Sequence, residues 1–280
     1  MPKHVGFIAL CLTMIVSGCS ASNHVQEKRT AIKLQQIPDQ QRLQDAFKSS
    51  EGTMVIIDAH SEKRIIYNDS LASEQRPPCS TFKIWNSLIG LELSLVTSAD
   101  ESFYLWDGKK RFLDAWNKDL TFKEAFQSSC VPAFQQLATK IGPERMQEWL
   151  NKIHYGNRDI SSGIDIFWLP EKDRKTILIS PIEQALQVKK LINGKLPFSE
   201  KSKSVLKDVM QVKEGKNGVL YGKTGSGMNE EGVFTLGWFV GYVESGGNVF
   251  TFACLTQGEN ANGLQARKIV TEIFTNQGLL

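Results

Sequence analysis

Histidine is scarce in this chain of 280 residues, which holds only His4, His24, His60 and His154. None has ligand-like spacing to another His or to a cysteine pair, which argues against a metal centre and against a Ser-His-Asp hydrolase. Charge of one sign is also lacking. Lysine and arginine number 33 against 30 aspartates and glutamates, a net of +3 that falls to +2 once Lys3 leaves with a leader. Nucleic-acid binding rests on many phosphate-neutralising cations, so a small-molecule partner is expected and no nucleic acid. The apolar stretch at residues 5–16 is too short to span a bilayer, and no second stretch is long enough. Internal repeats and low-complexity tracts are absent as well.

What is present begins with a secretory pattern. Lys3, the apolar stretch and Ser17-Gly18-Cys19 follow the basic, apolar, small-residue order of an export signal over residues 1–18. Val16-Ser17-Gly18-Cys19 also resembles the lipoprotein box, in which the cysteine is lipidated. Two outcomes stay open: a lipid anchor at Cys19, or ordinary cleavage near Ala21 that releases a soluble protein. Three cysteines are left for the body, Cys79, Cys130 and Cys254, and an odd number cannot make a complete disulfide framework. Buried free thiols are expected, with a Cys79–Cys130 bridge as the alternative in an oxidising compartment.

After a polar tether over residues 19–45, one domain is expected over residues 46–280. Residues 53–59 (TMVIIDA) read as a buried strand and residues 63–68 as its hairpin partner. A long helix, apolar on all sides and therefore central, is predicted from Ser80 to about Val96. Residues from about 76 to 214 read as a helical lobe, with helices near 121–126, 133–141, 143–153 and after Ser180, where Pro181 and Glu183 are first-turn signals. Strand patterns return at 220–224, 235–243 and 249–255, followed by a helix at 263–274. The first and last strands have no better place than one antiparallel sheet. The predicted class is therefore α/β of the α+β type, a central antiparallel sheet flanked by helices with a helical lobe inserted.

Ser80-Thr81-Phe82-Lys83 opens the apolar helix, and a Ser and a Lys one turn apart share a face. Ser80 alone would serve as a plain helix cap. Lys83 changes that, because an ammonium in so apolar a setting must find a partner or lose its proton. Ser129-Cys130-Val131 lies between two predicted helices and Lys223-Thr224-Gly225 on a predicted strand. The ordered trio of Ser-x-x-Lys, a serine element and Lys-Thr-Gly is the signature of penicillin-recognising serine enzymes.

With Tyr155-Gly156-Asn157, Gly163-Ile164-Asp165, Phe167-Trp168-Leu169 and Trp238-Phe239-Val240-Gly241, these stretches resemble the class D (oxacillinase) serine β-lactamases from about residue 53 to 274. The deacylating Glu of class A enzymes has no counterpart, since Gln147 stands where it would be needed before Leu150-Asn151. The resemblance implies a β-lactamase/transpeptidase-like fold, β-lactam hydrolysis through acylated Ser80, and antibiotic resistance. It implies that Lys83 takes up carbon dioxide as a carbamate that serves as general base for both acylation and deacylation, with carbon dioxide or bicarbonate its source and no other cofactor or metal. Trp168 and Val131 would stabilise that carbamate. Ser129 would relay a proton to the leaving nitrogen, and Lys223, Thr224, Gly225, Ser226 and Arg267 would bind substrate, with the amides of Ser80 and Ser226 as oxyanion hole. Export implies a periplasmic location, with Cys19 the anchor to the outer membrane where it is lipidated. The competing expectations are a β-lactam sensor domain, which acylates without turnover, and a cell-wall transpeptidase. Substrate range and oligomeric state are not legible.

Overall fold

A computed structural model describes Met1 and residues 38–280. The expected leader, Cys19 and the tether up to residue 37 lie outside the described residues. The tether is shorter than expected, because Gln40–Ala46 forms a helix, α1. The side chain of Asp39 accepts from Arg42 N to start it, and Leu43 is its buried anchor.

Next come β1 (Glu51–Asp58) and β2 (Arg64–Tyr67), the short α2 (Asp69–Ser73), a 3-10 turn (Cys79–Phe82) and α3 (Lys83–Glu92). The expected helix from Ser80 to about Val96 is thus corrected at both ends. Its first turn is tighter than an α-helix, and it closes at Ser94, whose φ of +54° lets Leu95 N reach back to Gly90 O at 2.9 Å. Two features inside the lobe depart from its helical reading: a ribbon of β3 (Ser102–Tyr104) and β4 (Leu120–Thr121), and the intervening 3-10 turn Asp114–Trp116. The predicted helices follow as α4 (Phe122–Gln127), α5 (Val131–Ile141), α6 (Pro143–Ile153) and α7 (Pro181–Ile192), and a further helix, α8 (Glu200–Met210), completes the lobe. Ser180 and Glu183 close a reciprocal capping box on α7.

The remaining strands are β5 (Gln211–Glu214), β6 (Gly218–Met228), β7 (Phe234–Ser245) and β8 (Asn248–Gln257), before the final helix α9 (Gly263–Asn276). All six strands of the main sheet pair antiparallel in the order β2-β1-β8-β7-β6-β5, so the N-terminal strand lies beside the last one as the apolar pattern required. β5 corrects the lobe's expected end at 214: it is a polar edge strand of the sheet. α1 and α9 cover one face of the sheet around Phe239, Phe252 and Phe274. The other face and the lobe share a larger core built around α3, whose Trp85, Leu88 and Ile89 are fully buried. That burial on every side puts Lys83, at the start of α3, in the middle of the protein.

Candidate active site

Two prolines and a left-handed residue shape the turn before α3. Pro77 and Pro78 lead into Cys79, whose φ of +50° is costly for a non-glycine residue. The indole of Trp238 donates to Pro77 O at 2.9 Å and the Thr81 hydroxyl to Pro78 O at 2.7 Å. The half-buried Ser80 is thereby held at the turn's tip, and Lys83 Nζ donates to Ser80 Oγ at 2.8 Å. Lys83 has no exposed surface, and its nitrogen sits 5.3 Å from the centre of the Phe134 ring. Burial drives its pKa down to about 7, and the neighbouring thiols of Cys130 and Cys79 offset this only in part. An amine half-uncharged near neutrality can take the Ser80 proton, the donor and acceptor of that hydrogen bond exchanging roles.

Trp168 is also fully buried. It stacks on Phe82, the residue next to Lys83, with ring centres 5.8 Å apart, and packs edge-on to Phe167. Its indole N–H has no hydrogen-bond partner among the described residues. A buried donor left unpaired is costly, and such a group calls for an acceptor.

The second serine lies on the link from α4 to α5, where Ser129 takes a left-handed φ of +58° that the tight connection demands. Lys223 on β6 donates to Ser129 Oγ at 3.0 Å and to Thr224 O at 3.0 Å. Lys223 is 3% exposed. Its pKa lies well below the usual lysine range, chiefly through burial and then through the cations of Lys83 and Arg267. Val131 opens α5 and packs half-buried against the core.

Gly225 explains the third position of Lys-Thr-Gly. A Cβ there would lie 2.9 Å from Pro78 O and 3.2 Å from Ser80 N, so only glycine lets β6 run along the turn that carries Ser80. Ser226 is exposed, and its hydroxyl accepts from Gly263 N at 3.0 Å, tying β6 to the start of α9. Arg267 on α9 joins Lys223, Thr224, Phe126 and Gln211 around a pocket of about 260 Å³ whose lining stops short of Ser80 and Ser129.

Cys79, Cys130 and Cys254 are all buried free thiols, and burial pushes Cys79 up to about 12. The Cys79 sulfur would sit 3.4 Å from a Cβ at Gly227. Among the described residues no group of three or more His, Cys, Asp or Glu could hold a metal.

Two buried groups had no role in the sequence reading. Gln184 on α7 donates to Thr81 Oγ1 at 2.8 Å, and Tyr155 donates to Gln184 Oε1 at 3.4 Å. The available signal was a polar residue on the α7 stripe that continues through Val188 and Leu191 at helical spacing.

The pairs Ser80–Lys83 and Ser129–Lys223, with β6 laid against the turn that carries Ser80, have the arrangement of a penicillin-recognising serine site. Comparison with known proteins agrees: the penicillin binding protein transpeptidase domain matches residues 32–275, and the chain belongs to that family, with class D β-lactamases as its homologues. It is 37% identical to the probable β-lactamase YbxI of Bacillus subtilis (strain 168), over 84% of both chains. The crystal structure of FUS-1 (OXA-85), a class D β-lactamase from Fusobacterium nucleatum subsp. polymorphum, is similar at a TM-score of 0.78 and 38% identity, covering 87% of this chain and 100% of that one. The C-terminal domain of the Bacillus licheniformis BlaR penicillin-receptor is similar at a TM-score of 0.78 and 32% identity, covering 87% and 96%.

Proposed function

We propose that this protein hydrolyses β-lactam antibiotics through an acyl-serine intermediate on Ser80 and so confers resistance to them. The observation that carries the proposal is Lys83: fully buried, 2.8 Å from Ser80, with burial holding its pKa at about 7. Ser80 Oγ bonds to the lactam carbonyl carbon while its proton passes to Lys83. The ring C–N bond then breaks, and the freed nitrogen takes a proton from Ser129, which Lys223 orients and resupplies. A substrate carboxylate beside Lys223, Thr224 and Arg267 would return Lys223 to its charged form, since an anion at that position offsets the burial cost. Carbon dioxide taken up by the neutral Lys83 amine would supply a carboxylate-like base for cleaving the Ser80 ester with water. The partnerless indole N–H of Trp168 and the apolar cover of Val131 are the groups that fit it. Export to the periplasm, with or without an anchor at Cys19, belongs to the same proposal.

The likeness to the BlaR receptor domain favours one second reading, a sensor that is acylated and does not turn over. Hydrolysis of nitrocefin or oxacillin by the purified protein, followed through many equivalents with mass spectrometry of the Ser80 adduct, separates the two. Many cycles with a transient adduct are expected. A burst of one equivalent and a lasting adduct would reject the hydrolase.

A further inference from the structure

One of the hydrogen bonds that pin the nucleophile turn leads away from the cleft into the core. Tyr155 O–H donates to Gln184 Oε1 at 3.4 Å, Gln184 Nε2–H to Thr81 Oγ1 at 2.8 Å, and Thr81 O–H to Pro78 O at 2.7 Å. Every group in the series gives its proton toward the turn, and Tyr155, Gln184 and Thr81 have no exposed surface. A series of aligned buried hydrogen bonds stiffens as a unit. It ends on the carbonyl that also receives Thr81 N at 3.1 Å and so closes the turn around Ser80. That turn includes Cys79 in its left-handed conformation, which the local chain does not favour and which the surroundings must impose.

We propose that Gln184 is a positioning residue for acylation: acting through Thr81, it holds the Pro78 carbonyl, and with it the distance from Ser80 to Lys83. The proposal rests on Ser80 being the acylated residue. An amide is the group required, because it accepts from Tyr155 and donates to Thr81 at once. Methionine of similar shape does neither, and an ionised glutamate has no proton to pass on.

The test is the rate of the first acylation turnover, read by rapid-quench mass spectrometry of the Ser80 adduct of a penicillin on the purified full chain, with Q184M, Q184E, T81V and the T81V/Q184M double variant. Q184M and T81V are expected to acylate at least about tenfold more slowly while the folded fraction stays at the wild-type level. The double variant should be no slower than the slower single, as members of one network are not additive. Q184E should approach wild type at low pH, where its carboxyl is protonated and both donates and accepts. It should fall away as pH rises and burial no longer keeps the proton on. A purely architectural role would lower the folded fraction and the melting temperature without a new pH limb. Rates within twofold of wild type, fully multiplicative effects, or a Q184E profile parallel to wild type would overturn the proposal. Should Q184M not fold, T81V and Q184E decide it. Failure of the wild type to form any Ser80 adduct in the first turnover would remove Ser80's role and this inference together, whereas unchanged variants remove only the inference.

Discussion

Replacing Lys83 by methionine should make the protein more stable while abolishing acylation. Lys83 pays for its place in the core: lowering its pKa from 10.5 to about 7 corresponds to about 5 kcal/mol of differential cost, at 1.36 kcal/mol per pH unit. Methionine keeps an unbranched stem of similar shape and removes the ionisable group. It also loses the 2.8 Å hydrogen bond to Ser80, a loss of about 1 kcal/mol. A net gain of about 3–4 kcal/mol follows, which for a domain of this size is an increase of roughly 10 °C in melting temperature. The sign with pH is fixed by proton counting. Below pH 7 both folded and unfolded lysine are protonated, and the handicap is fully present. Between 7 and 10.5 the unfolded chain binds a proton that the folded one does not, so wild-type stability climbs with pH and the handicap fades. Melting curves of wild type and K83M in carbon-dioxide-free buffer at pH 6 and pH 10 should therefore show a wide gap at the lower pH and a narrow one at the higher. Equal melting temperatures at pH 6, or a gap that does not change with pH, would refute the account of Lys83 as a buried, reluctantly charged amine.

Three further outcomes follow from the same geometry. W168F leaves an aromatic ring to stack on Phe82 but removes the N–H together with the rest of the pyrrole ring; turnover in wild type should rise with added bicarbonate, and W168F should need about tenfold more bicarbonate for half-maximal rate, equal requirements removing Trp168 from the role. G225A places a methyl group 2.9 Å from Pro78 O and should cost about 1–3 kcal/mol of stability with a slowed acylation, so a variant that labels and melts like wild type would contradict the close approach of β6. R267A, remote from the reacting bond, should raise KM about tenfold for carboxylate-bearing β-lactams and leave kcat within twofold; a fall in kcat alone would place Arg267 elsewhere in the cycle.

The central strands were legible because β1, β7 and β8 are runs of apolar residues with no competing helical period, and burial on both faces requires such runs. The polar Gln211–Glu214 was not, since an edge strand needs only one partner and carries no apolar signature. α3 was read too long because its stop is a serine at positive φ, where a glycine would have been the usual sign. Lys83 stood out as a cation in an apolar helix, and the structure buries it completely. The unpaired Trp168 N–H and the chain through Gln184 could not be read, because each depends on what residues far apart in sequence leave unpaired or pair across the core.

Hydrolase and receptor share this fold at equal structural similarity, so the scaffold does not divide them. Acylation needs only what both would have: a nucleophile on a pinned turn, a neutral amine, and a proton carrier at Ser129. Release needs a base that is still present after the amine has given or taken its proton and the ester occupies the cleft. A buried amine with a pKa near 7 stays partly protonated at neutral pH and is a weak candidate for that second task. Conversion to an anionic base would remedy this, but it puts a charge into the core and is tolerated only where a donor waits unpaired. Trp168 provides such a donor beside Phe82. On the proposed carbamate chemistry, the difference between turning over and staying acylated would lie in whether Lys83 takes up carbon dioxide and how firmly it would hold it. A chain that loses it on acylation would behave as a sensor with every other contact unchanged. Carbon-13 NMR of the protein in labelled bicarbonate, before and after acylation, reads that variable directly: a carbamate signal that survives acylation accompanies turnover, and turnover without any such signal would break the link.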